Sequence, residues 1–339
     1  MSLAIYSDRS LIPQGGSHVV MLYPFWGKNP EDPGDPNSGR FDHYTEVGSR
    51  LFQLAPLEQA ELAVFPCGWR RDIAADVQGF IDAAAQIGTR TLIFVGSDDH
   101  EEVTDDYYAT VFQTSLYRSS RRENEFAQPA WSEDFVSAHL GGRLPTHRKR
   151  PKPVVGFCGL APRRRDLLQR LRAHPSHTTV RGRALRFLRR HQGIETNFVL
   201  REHFLGGATA GGRVDTAAMQ RVRREYVQNI VESDYVVCTR GAGNFSYRLY
   251  ETLSCGRIPV FVDTDCVLPY DFLVDWREHC VWVEEDDLPQ IGERVLEFHE
   301  GLGEKEFVEL QHHCRRFWEQ YISPEGFFSN FHRHFNGLL

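Results

Sequence analysis

The stretch Tyr235–Trp276, YVVCTRGAGNFSYRLYETLSCGRIPVFVDTDCVLPYDFLVDW, constrains this chain more than any other. The apolar run Tyr235–Cys238 reads as a buried strand, and the loop Thr239–Phe245 after it holds Arg240, Gly241 and Gly243. Ser246 stands at an N-cap position and a helical pattern runs to Cys255. Gly256 then closes the helix and Ile258–Val262 resumes the sheet. This order is a βαβ unit, whose parallel strands need helices on both faces of the sheet.

The same alternation fills the rest of the chain. His18–Tyr23, Leu62–Phe65 and Thr91–Val95 read as strands, with Phe41–Ala55 and Ala74–Ile87 as helices between them. Val154–Cys158, Thr196–Val199, Tyr235–Cys238, Ile258–Val262 and Cys280–Val283 form a second series, with helices at Arg164–Arg172, Ala217–Val231 and Tyr247–Ser254. Between the series lies Gly141–Pro153, GGRLPTHRKRPKP, whose glycines, prolines and cations disfavour regular structure. A length of 339 residues exceeds what one compact α/β core needs. The expectation is α/β with two Rossmann-like domains: residues 1–142, a linker at 143–153, and 154–322. In the tail 323–339, Phe327, Phe331 and Phe335 recur at i, i+4, i+8, so a last helix is expected to bury that face back on the first domain.

Composition excludes several classes. The net charge of −7 argues against a protein built for nucleic acid or an anionic membrane. No run of eighteen apolar residues marks a membrane span, and the amino terminus lacks the pattern of a signal peptide. The seven widely spaced cysteines contain no CxxC pair, which fits free thiols in a reducing cytosol. A chain cut from a membrane-anchored precursor would read the same way.

The chemistry concentrates at the Gly241–Ser246 turn. Glycines ahead of a helix amino terminus let backbone amides approach phosphate oxygens, and the helix dipole favours the negative charge. Arg248 in the first turn opposes that dipole unless an anion lies between them. Glu251, one turn deeper, can accept two hydroxyl hydrogen bonds of the kind a ribose offers. The competing account is an intrahelical Arg248–Glu251 pair worth about 0.3–0.5 kcal/mol.

The stretch also resembles the exostosin family, glycosyltransferase family 47. Arg248, Glu251, Gly256, Ile258, Pro259, Val260, Leu268, Pro269, Tyr270 and Trp276 match its pattern in order and spacing. Glu61–Pro66 and Phe94–Glu101 resemble its amino-terminal segments, with Asp98 where the family has His, and His100 and Glu101 replacing an aromatic residue and Gly. The resemblance implies the GT-B fold, two Rossmann-like domains facing across a cleft. It also implies an inverting transferase that moves a sugar from a nucleotide-sugar donor, UDP-linked, to a hydroxyl of a glycan or glycoconjugate. Glu251 would then hold the ribose and Arg248 the diphosphate, assisted by Arg240, Ser246, Gly241, Gly243 and Asn244. A catalytically silent nucleotide-sugar or glycan-binding protein of the same fold is the alternative.

An inverting displacement needs a base for the acceptor proton and positive charge or amides for the leaving diphosphate. Asp99, just past the Thr91–Val95 strand, is the first candidate base, with Asp98 and His100 in competition. The acidic loop of Glu31, Asp32 and Asp35 could border the acceptor. Asp263-Thr264-Asp265 has the Asp-x-Asp form of metal-dependent transferases but reads as a loop, so no metal or other cofactor is expected. His312, His313, Cys314, His332 and His334 suggest zinc by composition alone. Arg143–Arg190 carries 15 Lys or Arg against one acid, Asp166. There Arg163 and Arg164, with Arg165, could clamp phosphate, or the patch could draw an anionic acceptor, while Arg181–Arg190 reads as a solvated basic face. Without interleaved aromatics the patch does not read as a nucleic-acid site.

Overall fold

The computed structural model describes residues 2–32, 35, 37–161, 177–208 and 215–335. Two parallel sheets organise them. The first has the order β2-β1-β3-β4-β5-β6, built from β1 (Leu3–Tyr6), β2 (Phe52–Leu54), β3 (Leu62–Val64), β4 (Arg90–Val95), β5 (Ala109–Gln113) and β6 (Glu125–Ala127). The second has the order β11-β10-β9-β7-β8, built from β7 (Val154–Leu160), β8 (Glu195–Arg201), β9 (Tyr235–Cys238), β10 (Ile258–Asp263) and β11 (Val281–Glu284). Every ladder within both sheets is parallel, as the alternating pattern requires.

Two readings of the first domain need correction. His18–Tyr23 is not a strand: Val20–Leu22 is a 3-10 turn that runs into α1 (Tyr23–Trp26), and the strand beside β3 is Leu3–Tyr6. Pro24 explains this, because it lacks the N–H a sheet ladder needs and fits a helix's first turn. Phe41–Ala55 is helical only over α2 (Asp42–Val47); a 3-10 turn at Gly48–Arg50 follows, and Phe52 turns its buried ring inward from β2. After α3 (Ala74–Ala85), strands β5 and β6 complete the sheet, and the short α4 (Phe135–His139) ends this half of the chain.

In the second domain α5 (His177–Arg190) exposes Arg186, Arg189 and Arg190, in line with the reading of Arg181–Arg190 as a solvated basic face, but corrects that reading at Arg181, which is half-buried. Ala184, Leu185 and Leu188 are buried on it, and Arg181 shares their side, as the i, i+3, i+4, i+7 spacing dictates. The expected helix Arg164–Arg172, with Arg163 and Arg165, lies outside the described residues. Helices α6 (Thr216–Glu232), α7 (Tyr247–Ser254), α8 (Ile291–Glu300) and α9 (Glu304–Phe317) complete the layers, and Gly256 at φ 60 ends α7.

The segment 143–153 has no regular element and is sewn to the second domain. The fully buried Arg257 donates to Pro145 O at 2.6 Å and Val231 O at 2.8 Å, and Gln311 exchanges two 2.8 Å hydrogen bonds with the His147 backbone. The tail returns to the first domain as α10 (Pro324–Ser329) and a 3-10 turn, Phe331–Phe335. Phe327, Phe331 and Phe335 are buried there with Phe52, Phe94 and Phe112. Two facing Rossmann-like domains with a carboxyl-terminal crossover are the GT-B arrangement.

Candidate active site

In the second sheet the chain leaves β7 towards β8 and later returns to β7's other side as β9, so the strand order reverses between β7 and β9. Open parallel sheets leave a crevice at the carboxyl ends of such strands. Two guanidinium groups fill it. Arg248 of α7 donates to Cys158 O at 2.8 Å and lies 4.3 Å over the Phe157 ring. Arg181 of α5 stands 5.8 Å over the same ring and donates to Leu160 O at 3.0 Å, Arg240 O at 3.1 Å and Thr239 Oγ1 at 3.2 Å. A Cβ on residue 159 would stand 2.8 Å from the Arg248 guanidinium and would displace the end of that side chain.

Among the described residues, all hydrogen-bond partners of these two cations are neutral. Burial first, and the Arg248 charge second, push Arg181 down to about 10. Burial also opposes the charge on Arg248, but Tyr226, Cys238 and Glu251 more than offset it and raise its pKa. Among the described residues, Nε of Arg248 and Nε of Arg240 are buried without a hydrogen-bond partner. Arg240 donates to Ala242 O at 3.1 Å and lies 5.5 Å over Tyr117 of the first domain. Ser246 is extended at the N-cap position, and its hydroxyl makes no capping bond to α7.

The intrahelical Arg248–Glu251 pair does not form. Glu251 is buried; its Oε2 accepts from the Tyr226 hydroxyl and its Oε1 from Arg223 at 3.5 Å. Burial, then the Glu251 charge, raise Tyr226 well above the usual phenol value. Asn244 is fully buried in the domain interface, where its N–H donates to Ser115 Oγ at 2.9 Å and its side chain bonds Leu116 O, Asp265 O and Thr264. Gly241 closes its loop by donating to Phe245 O at 3.0 Å. Gly243 passes so close to the first domain that a Cβ would stand 2.5 Å from Asp98 O.

That contact brings the loop after β4 to the glycine loop. Asp98 and Asp99 have exposed side chains, and the Asp99 N–H donates to Ser97 Oγ at 3.0 Å. His100 is enclosed differently. Its Nδ1 is 3.2 Å from Ser120 Oγ, and its Nε2 is 3.6 Å from the carboxylate of Glu125, a fully buried residue that also accepts from Gln113 and the Arg122 N–H. In the acidic loop, Glu31 accepts from Lys28 and the Gly39 N–H.

The Asp-x-Asp carboxylates are committed to the domain interface. Asp263 accepts from Arg118 at 2.7 Å and the Cys266 N–H at 2.9 Å, and Asp265 accepts from the Ser119 N–H at 3.1 Å. Among the described residues no three His, Cys, Asp or Glu side chains gather as metal ligands. His313 stacks on His279 and His334 packs among the rings of the returning tail. All seven cysteines are buried and free, and no described helix is long and apolar enough to cross a membrane.

Arg181, Tyr226, Arg223 and Glu125 escaped the sequence reading. Only Arg181 left a local signal, its helical spacing to Ala184, Leu185 and Leu188. The others acquire meaning from partners 25 or more residues away or from a contact with His100.

Residues 171–298 match the Exostosin GT47 domain. Probable glucuronosyltransferase GUT1 of Oryza sativa subsp. japonica is 36% identical over 66 residues, 20% of this chain and 16% of its own length. Exostosin-1 of Drosophila melanogaster is 27% identical over 110 residues, 32% and 14% of the two chains, and human Exostosin-2 is 28% identical over 98 residues, 29% and 13%. The matches thus span about one-sixth or less of these relatives. A glycosyltransferase from Rickettsia africae superimposes over 91% of this chain and 83% of its own at 9% identity, with a TM-score of 0.41. The matched region contains α5, the glycine loop and α7 together, so the elements that carry Arg181, Arg240, Arg248 and Glu251 lie in the part of this chain that is similar to an exostosin GT47 domain.

Proposed function

We propose that the chain is a glycosyltransferase that binds a nucleotide-sugar donor at the β7/β9 crevice and passes the sugar, with inversion, to a glycan hydroxyl held by the first domain. The carrying observation is the pair Arg181 and Arg248, two half-buried cations flanking one ring with only neutral hydrogen-bond partners among the described residues. Such a pair is unfavourable alone and favourable around a diphosphate, which bidentate guanidiniums recognise well. Arg240 and the first-turn amides of α7 extend the same positive field. Each Glu251 oxygen has a second lone pair beyond its bond to Tyr226 or Arg223, leaving capacity for two ribose hydroxyls.

In the transfer, the acceptor oxygen attacks the anomeric carbon and the bond from that carbon to the diphosphate breaks. The arginines take the charge developing on the leaving oxygen, which supports a reaction without a metal. Of the three candidate bases we choose His100, the most enclosed, whose Nδ1 is 3.2 Å from the exposed Ser120 hydroxyl and whose Nε2 is buried 3.6 Å from Glu125 without a hydrogen-bond partner among the described residues. The rice relative's name makes a UDP-linked uronic acid the first donor to test, and the basic surface of α5 suits an anionic acceptor.

The test is calorimetry and thermal shift with UDP, GDP, CDP and ADP, in chelator and in divalent cation, on wild type, Arg248→Ala and Glu251→Ala. One diphosphate should bind wild type in chelator, stabilising it by about 2.7 kcal/mol at a hundredfold excess over Kd. Both variants should lose that binding. Undiminished binding by the variants, or binding only with metal, contradicts the proposal.

A further inference from the structure

Arg223 of α6 spreads its guanidinium over three parts of the molecule. Nε donates to Glu133 Oε1 at 2.9 Å, Nη2 to Asn37 Oδ1 at 2.7 Å and Nη1 to Glu251 Oε1 at 3.5 Å. The group lies 4.5 Å over the Phe135 ring, and the side chain is only 12% exposed. Glu133 and Phe135 belong to the segment leaving the first domain, and Asn37 lies in that domain's acidic loop, where its N–H is anchored on Asp35 Oδ1 at 2.8 Å. A planar, rigid fork with several directed partners transmits orientation in a way that a flexible ammonium does not. A polar path from the acidic loop to Glu251 runs through it.

We infer that Arg223 and Asn37 are positioning residues: the first domain's loop, through the Arg223 fork, sets the Glu251 carboxylate for the ribose of the donor. This rests on the reading of Glu251 as the ribose acceptor. The coupling is reciprocal, because any free energy by which Asn37 tightens nucleoside binding is returned when the bound nucleoside tightens the loop. Donor binding in the second domain therefore shapes the edge of the acceptor side in the first. The coupling acts on the nucleoside and not on the diphosphate, which Arg181, Arg248 and Arg240 hold independently.

That division supplies the test. Calorimetry compares UDP with inorganic pyrophosphate on wild type, Asn37→Ala, Asn37→Asp, Arg223→Lys and the double variant Asn37→Ala/Arg223→Lys. Asn37→Ala should weaken UDP about fivefold and leave pyrophosphate within about twofold, and the double variant should bind UDP like Arg223→Lys alone, since contacting residues are not additive. Asn37→Asp, which keeps an acceptor for the same Arg223 bond, should bind UDP like wild type. Unchanged UDP affinity in Asn37→Ala, or equal losses for UDP and pyrophosphate, would overturn the inference. Wild type that binds neither ligand would overturn the donor site itself, and this inference with it.

Discussion

Arg181 and Arg248 bear on one aromatic ring with like charge, and their hydrogen bonds end on carbonyls and a hydroxyl. Stability alone does not explain that choice, since a hydrophobic pair of similar volume would cost less to bury. Arg181→Lys keeps the charge and loses the planar fork that reaches Leu160, Arg240 and Thr239 at once. Its expected effect is a loss of about tenfold or more in affinity for UDP and for pyrophosphate alike, about 1.4 kcal/mol, read by calorimetry. Equal affinity would remove Arg181 from the diphosphate site. Glu251 and Arg248 were legible in sequence because their spacing on one helix is local. Arg181 was half legible: its helical spacing was available, but the surrounding run of arginines read as solvent-facing.

At the scale of elements, the returning tail shows how little a secondary-structure label matters when burial is the driving force. The expected single helical face breaks at Asn330 into a short helix and a 3-10 turn, and Phe327, Phe331 and Phe335 are all still buried. Phe331 is fully buried, with ring contacts to Phe52, Phe94, Phe112, Phe327 and Phe328. Phe331→Ala is expected to destabilise the protein by about 3–5 kcal/mol, measured by urea unfolding. A loss below about 1 kcal/mol would mean that the crossover is not part of the first domain's core. His18–Tyr23 failed for the opposite reason: an uninterrupted apolar run carries no period, and the proline beside it decided between turn and strand.

For the whole molecule, two buried histidines contribute to the response to acid. Burial first, then His313, lowers His279 to about 4, and burial lowers His334 to about 3 with Arg121 and His332 adding to it. Asp275 acts on His279, and the Phe331 carbonyl on His334, in the opposite direction without restoring the ordinary value. The unfolded chain, with histidine pKa near about 6.5, then binds more protons than the native state between pH 6.5 and 4. Stability is therefore full above about pH 6.5 and falls as the pH drops towards 4. Urea midpoints at pH 7 and pH 5 should show this loss, and His279→Gln/His334→Gln should reduce its slope; an unchanged slope would show that these two groups do not carry it. The sequence by itself determined the parallel α/β class, most strands of both sheets, and the helix that carries Arg248 and Glu251, because hydrophobic period, turn residues and capping act over neighbouring residues. Only the tertiary structure decided that Asp263 and Asp265 bind Arg118 and Ser119 across the domain interface, that the Glu125 carboxylate lies 3.6 Å from His100, and that Arg223 joins Asn37 to Glu251. These pairings link segments up to 186 residues apart. They exist because packing two sheets and a returning tail removes the charges from water and leaves each one to find a partner in space.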